Sequence, residues 1–472
     1  MKGVNLAIAT KAWGISLKES TNLTTLKNSC ARVGVLSNLE FLTYITSQEV
    51  DMAKGGLVLG TTAALAAAVA VVGFQLANPS IAAFRDSPKE IVDEAWQLIN
   101  LEYVDGSFNK VNWRQVRRQY VENRDYSSKA EAYRSVREML KLLDDPYTRF
   151  MDPEQFKSMQ IDTSGELTGV GIQLGMDDAT KLLTVVAPIE GSPASRAGVL
   201  TKDIITSIAS KSTDGMDINQ AVALIRGPAG TKVKLGIKRG DRQFDIELER
   251  SKIEIHPVKA DLRDTNIGKV GYINLRQFNA NAASDMRKAI QDQVSKGAVG
   301  FVLDLRSNPG GLLYSSAEIA RMWLDNATIV STIDRKGENE RLTANRQALT
   351  NKPLVVLVDG GSASASEILS GALQDNKRAV IVGTKTFGKG LVQSVRSLSD
   401  GSGMAVTIAK YYTPSGRDIN HLGIIPDRVV ELTKEDLEKL NKNRDLVGTI
   451  SDPQFAKAID ILSGELKSVN SR

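Results

Sequence analysis

The feature that most restricts this chain is the run PLVVLVDGGSASASEILSGALQDNKRAVIVG, residues 353–383. Taken alone, GGSASAS has the composition of a flexible linker. Here it stands between an apolar strand pattern, PLVVLV, and an apolar helix pattern, EILSGAL. A second apolar strand, AVIVG, follows the helix. Strand, helix and strand in that order make a βαβ-type layer. The glycines and serines therefore fall at a strand-to-helix junction. A helix N-terminus leaves N–H groups free and carries the positive end of the helix dipole. Small Gly and Ala neighbours let another backbone approach. A serine there is well placed as a nucleophile beside donors for an oxyanion.

Such a serine needs a base. The chain has two histidines, His256 and His421, so a Ser-His-Asp triad would depend on one of two isolated residues. The other candidate is Lys389 in TFGKG, flanked by glycines. A lysine acts as a base only when neutral, and burial without a counter-charge lowers its pKa toward that state. Spacing alone leaves both bases open. A lone serine is usually a cap or turn residue, and a lone lysine is usually a solvated charge.

Bulk properties exclude several classes. The 472 residues are 42% apolar and 24% charged, as in ordinary multidomain globular proteins. The net charge of +5 is spread thinly, with no Lys/Arg-dense run and no aromatic–basic interleaving. Nucleic acid is therefore not the expected partner. The single cysteine, Cys30, lies in the N-terminal region, so the body has no disulfide and no thiolate metal site. No metal and no cofactor is expected.

From Gly55 to Phe84 there is no charged residue. Lys54, the Leu/Ala/Val run and the small residues near SIAA have the order of a secretory signal, and the apolar part is also long enough for an uncleaved anchor. Met52 precedes that lysine. Residues 1–51 therefore read as an upstream extension from a misplaced start, with an organelle transit peptide as the alternative. The expected location is exported, in a periplasm or thylakoid lumen, with residues 55–84 as the route to membrane association.

The body divides by texture. Residues 85–160 are helical. SPKE (87–90) and Ser128 with Glu131 read as capping boxes. LDDPYTRFMDPEQF ends one helix and starts the next, and this region reads as support. From about 161 to 252, short strands alternate with glycine turns: LTGVGIQL, LLTVVAPI, DIITSI, then a hairpin from TKVKLGIKRG and RQFDIELE. From 253 to 432 the pattern is α/β. The tail, 433–472, is helical.

The segment GSPASRAGVLTKDIITSI and the element order around it resemble a permuted PDZ domain. The resemblance puts Gly169, Val170, Gly171 and Ile172 at the loop and strand that bind a C-terminal carboxylate. Consecutive backbone N–H groups make a nest for such an anion, and a strand edge can add a peptide. Five further motifs, LDDPYTRF, DLRSNPGGLL, SASASEILSGALQD, GTKTFGKGLVQ and YYTPSGRDI, occur in order. Together they resemble the carboxyl-terminal processing peptidases, or tail-specific proteases, over residues 86–432. DEAWQLINLEYVDGSFNKVNWRQVR is similar to the cyanobacterial and plastid type.

The resemblance implies an α+β multidomain fold: a helical N-terminal domain, a permuted PDZ domain and a crotonase-like or ClpP-like serine peptidase core with a helical tail. It also implies a Ser/Lys dyad, with Ser364 as nucleophile, Lys389 as base and Gln393 orienting the lysine. Asp375 becomes a supporting polar residue. Gly310 and Ala365 supply oxyanion N–H groups, and Arg226 is a candidate ligand sensor in the PDZ domain. Ser362 and Ser366 are left to packing or capping. The implied activity is endoproteolysis near protein C-termini, with free C-terminal tails as partners and a photosystem II reaction-centre precursor as a candidate substrate. The competing readings are a non-catalytic PDZ scaffold or chaperone on the same fold, and crotonase-like acyl chemistry. The oligomeric state is not legible.

Overall fold

The computed structural model describes residues 87–470, apart from 178 and 338. The assignments of residues 1–51 and 52–84, and Cys30 with them, lie outside the described residues.

The chain enters a helical layer made of α1 (Pro88–Glu102), α2 (Trp113–Arg117), which continues as a π turn to Glu122, and α3 (Lys129–Lys141). Their apolar stripes meet in one cluster that includes Ile91, Ala95, Ile99, Val116, Val136 and Met139, all buried. Pro88 starts α1, but Ser87 makes no side-chain cap. Ser128 caps α3 through the Glu131 N–H, while the Glu131 carboxylate turns to Ser127 instead. A short strand not read from the sequence, β1 (Arg149–Met151), follows and pairs antiparallel with Gly403–Ala405. It ties this layer into the core through three residues. α4 (Pro153–Ser164) is closed by a full capping box on Asp152 and ends at Gly165, whose φ of 66° suits the left-handed C-cap.

Next comes a small β domain. The sequence run LTGVGIQL is two strands, not one. β2 (Glu166–Gly169) pairs with β9 (Ser251–Glu254) as a two-stranded stem, and the chain changes sheet at Val170–Gly171. β3 (Ile172–Met176), β4 (Leu183–Pro188), α5 (Pro193–Arg196), β5 (Ile204–Ile208), β6 (Lys211–Ser212), α6 (Ile218–Ile225), β7 (Lys232–Arg239) and β8 (Arg242–Glu249) follow. The sheet order is β3-β4-β5-β7-β8, so β3 lies at an edge beside α6. The core of this domain holds Val185, Ile205, Ala221, Leu235 and Ile237.

The α/β body has β10 (Val258–Thr265), β11 (Gly268–Leu275), α7 (Ala282–Ser295), β12 (Gly300–Asp304) and α8 (Leu313–Arg321). Then come β13 (Thr328–Asp334), β14 (Asn339–Thr343), β15 (Leu354–Val358), α9 (Ala365–Asp375), β16 (Val380–Gly383), β17 (Leu391–Ser397), β18 (Gly403–Tyr412) and β19 (Arg428–Val429). The main sheet runs β10-β11-β12-β15-β16-β19, parallel from β11 onward. The second sheet is built on β18, with β17 along one edge and β1 and β13 along the other.

Both faces of the main sheet are covered, which is why PLVVLV is a continuous apolar run. Leu354, Val356 and Val358 face α7, α8 and α9. Val355 and Leu357 face the last helix, α11 (Pro453–Asn470), through Phe455, Ala458, Ile459 and Leu462. Each such large side chain contributes roughly 1.5–3 kcal/mol of burial, so this tail helix is part of the core. α10 (Lys434–Lys442) starts at a capping box on Thr433. The parallel strands end with their C-termini on one side, where β12 and β15 open into the NPGG and GGSASAS turns.

Candidate active site

The two turns are stitched together by backbone and serine bonds. Ser362 Oγ donates to Leu305 O at 2.8 Å, Ser366 Oγ to Asn308 O at 2.9 Å, and the Ala363 N–H to Asn308 O at 3.0 Å. Asp359 accepts from the N–H of Ser307 and Gly361. Ser362 and Ser366 are fully buried in these roles, while Ser364 between them is only half-buried. Ser364 has φ 54° and ψ −112°, a region that L residues rarely adopt. It heads α9 in a capping box with Glu367, whose carboxylate accepts the Ser364 N–H.

Gly310 packs flat against this turn. A Cβ there would lie 2.7 Å from Ala363 O, 2.9 Å from Ala365 N and 2.9 Å from Ser364 Cβ, and its φ is +101°. Only glycine fits. The Ala365 N–H has no partner among the described residues, as expected at the first helical position. The Gly310 N–H is engaged, donating to Asn308 Oδ1 at 2.9 Å.

Lys389 sits between Gly388 and Gly390 on the loop after β16. That loop is pressed against residues 420–423. A Cβ on Gly388 would meet His421 C at 2.9 Å, and one on Gly390 would meet Asn420 N at 2.7 Å. The lysine is half-buried, and among the described residues its Nζ has no ion pair and no hydrogen bond, including none to Ser364. Its one direct partner is the ring of Tyr147, whose centroid is 4.9 Å from Nζ. Burial, then the charge of Arg149, push this lysine below its ordinary pKa of 10.5, against a weaker upward pull from Asp145 and Glu367.

The junction and the lysine loop are joined by a residue whose role sequence reasoning missed. Glu367 is fully buried and its carboxylate accepts four bonds. These come from Ser364 N–H at 2.8 Å, Lys389 N–H at 2.9 Å, Gly388 N–H at 2.7 Å and Thr386 Oγ1 at 2.5 Å. Tyr411 clamps the same two residues from β18, donating its hydroxyl to Lys389 O and to Ser364 O, the latter at 3.2 Å. Burial first, and then the Glu367 charge, hold this phenol far above its ordinary range, so it stays a donor.

The other expected residues fall in three places. Gln393 lies on β17 at a bulge, with its amide directed to Thr407 Oγ1 at 3.4 Å rather than to the lysine. Asp375 closes the far end of α9. That helix has 11 residues, which puts Asp375 about 16 Å from Ser364 along its axis. There it binds Arg417 and the Ser415 N–H, which identifies it as a brace for the YYTPSGRDI turn and not a neighbour of the serine. Its carboxyl is raised by burial but brought lower overall by hydrogen bonds from Thr413 and Ser415 and by Arg417. His421 is exposed, and His256 pairs with Asp285 at 2.9 Å beside the β2–β9 stem. Neither imidazole reaches Ser364.

In the β domain, Val170 O and Gly171 O are turned inward, to Ala194 N–H at 2.9 Å and Ile189 N–H at 2.8 Å. The N–H groups of Val170 and Gly171 have no partner among the described residues. A Cβ at Gly171, φ +78°, would overlap Ser192 Cβ at 2.1 Å. Arg226 stands at the C-cap of α6, half-buried, with its charge directed toward Asp162 of α4.

A βαβ core with a serine at a strand-to-helix junction, joined to a small β domain with an open edge strand, defines a serine-type peptidase carrying a PDZ module. Comparison with known proteins agrees. Residues 269–430 match peptidase family S41, and residues 184–239 match the PDZ domain. The chain is 46% identical over 390 residues to the carboxyl-terminal-processing protease of Synechocystis sp., covering 82% of this chain and 89% of that protein. It is 41% identical over 345 residues to the chloroplastic carboxyl-terminal-processing peptidase 2 of Arabidopsis thaliana, covering 71% and 67%. A solved structure of a photosystem II D1 C-terminal processing protease is 35% identical, covers 78% of this chain and 99% of that one, and superimposes with a TM-score of 0.51. The chain belongs to the carboxyl-terminal-processing protease family, and it is a serine-type protease.

Proposed function

We propose that the protein captures the free C-terminus of a substrate protein in its PDZ domain and cuts near that end with Ser364 as nucleophile and Lys389 as base. The observation that carries this reading is the Glu367 carboxylate. It holds the backbone of both residues while leaving the lysine amine without a counter-charge.

The reaction follows from the groups present. An extended tail lies along β3, with its carboxylate on the Val170 and Gly171 N–H groups. Neutral Lys389 takes the Ser364 hydroxyl proton and the oxygen attacks a peptide carbonyl. Nζ and Oγ must close from their present separation, as catalytic pairs often do on binding substrate. The Ala365 N–H stabilises the oxyanion. Gly310 joins it when the incoming oxygen displaces Asn308. Lys389 then protonates the leaving amine, and water releases the acyl-enzyme. Gln393 braces β17, the strand that follows the lysine loop, through Thr407, and Arg226 faces α4 at the side of the PDZ domain where ligand occupancy can be relayed.

The working boundaries are a helical domain at 85–160, a PDZ domain at 161–252, a peptidase core at 253–432 and a helical tail at 433–472. The cyanobacterial and chloroplast relatives support a periplasmic or lumenal location, with a photosystem II reaction-centre precursor among the substrates. No helix among the described residues is long and apolar enough to cross a membrane.

The test is a peptide ending in a free carboxylate, incubated with wild type, Ser364→Ala and Lys389→Ala and read by mass spectrometry. Both variants should lose activity by about 10⁴-fold or more while still binding the peptide. A wild type that binds the tail and leaves it intact would favour a tail-binding scaffold. Normal cleavage by both variants would sink the dyad but leave family membership untouched.

A further inference from the structure

One motif takes no part in the steps above. LDDPYTRF, residues 143–150, reads from sequence as a turn inside a supporting layer. The structure brings it against the base. The Tyr147 ring faces Lys389 Nζ at 4.9 Å. The Tyr147 N–H and Thr148 Oγ1 both donate to Asp145, at 2.9 and 2.7 Å, which fixes the turn. Thr148 Oγ1 also accepts the Thr407 N–H at 3.0 Å, fastening the turn to β18. Arg149 then enters β1 opposite Ala405.

The charged and titratable groups facing Lys389 are few. This segment supplies Asp145, Tyr147 and Arg149, α9 supplies Glu367, and β18 supplies Tyr411 through the lysine carbonyl. Both carboxylates are already occupied, Asp145 by its own turn and Glu367 by four donors. Neither pairs with Nζ. Arg149 is exposed and makes no ion pair among the described residues.

We propose that Tyr147 is a positioning residue of the active site, its ring face holding Lys389 Nζ in place. The proposal rests on the reading of Lys389 as the base. A ring face attracts an ammonium and so fixes where the amine sits. A like charge opposes its protonation. Burial, and then the charge of Arg149, push this lysine below its ordinary pKa. The helical layer thus reaches the lysine through Tyr147.

The experiment is kcat and KM for a tail peptide, using Tyr147→Phe, Tyr147→Leu and Tyr147→Ala, with Lys389→Ala as reference and Tm measured for each. Tyr147→Phe should stay within about twofold. Tyr147→Ala should lose about tenfold in kcat with KM little changed. If Tyr147→Ala fails to fold, Tyr147→Leu is read in its place. A folded Tyr147→Ala with wild-type kcat, or with only KM raised, overturns the proposal when Lys389→Ala is inactive. An active Lys389→Ala overturns the base reading itself.

Discussion

Two cations stand close to the GGSASAS junction, and they are treated in opposite ways. Arg306, at the end of β12, is almost buried and is gripped by carboxylates on two sides. It bonds to Asp304 at 2.6–3.1 Å, to Asp452 at 2.7 and 3.1 Å, and to Gln454 at 2.9 Å. Tyr272 adds a bond to Asp304. Burial alone would lower this arginine, but the Asp304 and Asp452 charges raise it well above its ordinary range. Lys389 is also half out of water, yet every nearby carboxylate is spent elsewhere, and its pKa falls. The contrast teaches what makes a buried cation structural or chemical. With its counter-charges it is a permanent strut, here linking the NPGG turn to the tail helix α11. Without them it is a group that can give up its proton.

The largest effect should come from making the chemical cation permanent. Lys389→Arg keeps the charge, but a guanidinium does not deprotonate. We expect kcat to fall by about 10²–10⁴-fold with an unchanged fold, read by peptide cleavage and circular dichroism. Wild-type turnover in this variant would remove the distinction between the two sites.

The converse change removes the strut. Arg306→Met leaves Asp304 and Asp452 as buried carboxylates without a cation, and should cost about 3–5 kcal/mol in urea unfolding. Replacing both carboxylates as well, by apolar residues of similar volume, should recover most of that loss. A single variant as stable as wild type would mean that the cluster is solvated.

A smaller effect has the opposite sign. A lysine whose pKa is lower in the folded state binds its proton more tightly when unfolded, so stability rises with pH up to the ordinary value of 10.5. Lys389→Met should therefore stabilise the protein by about 0.5–2 kcal/mol at neutral pH and flatten that slope. Destabilisation would argue that the lysine is a structural cation after all. The smallest effect is expected at Asp375. Its alanine variant should change kcat by less than about twofold, because the residue braces a turn one helix length from the serine. A loss of 10²-fold would restore it to the active site.

The residues proposed to carry chemistry were legible in proportion to how local their signal is. Ser364 and Lys389 stand inside short motifs with unusual neighbours, and the glycines that admit close backbone contact mark both. The βαβ order, the capped helices and the small β domain follow from periodicity and turn residues. Glu367 was hidden because a glutamate three residues into a helix reads as an ordinary N-terminal cap. Here that capping geometry is extended across to the lysine loop. Tyr147 was hidden by distance, lying far from Lys389 in sequence, and only the pairing of β1 with β18 brings them together. That strand was itself invisible, because three residues carry too little alternation to be read. The strut was missed for the same reason, since Asp452 comes from the tail that reads as an appendage.

The most direct test of the central claim is the protonation of Lys389 itself, followed by NMR of the ¹⁵N-labelled side-chain amine in the Ser364→Ala protein, with assignment from Lys389→Met. The amine should titrate clearly below the ordinary lysine value of 10.5, and its midpoint should match the acid limb of wild-type kcat/KM. A midpoint at or above that value would show that the lysine is paired and charged, and would contradict its role as the base.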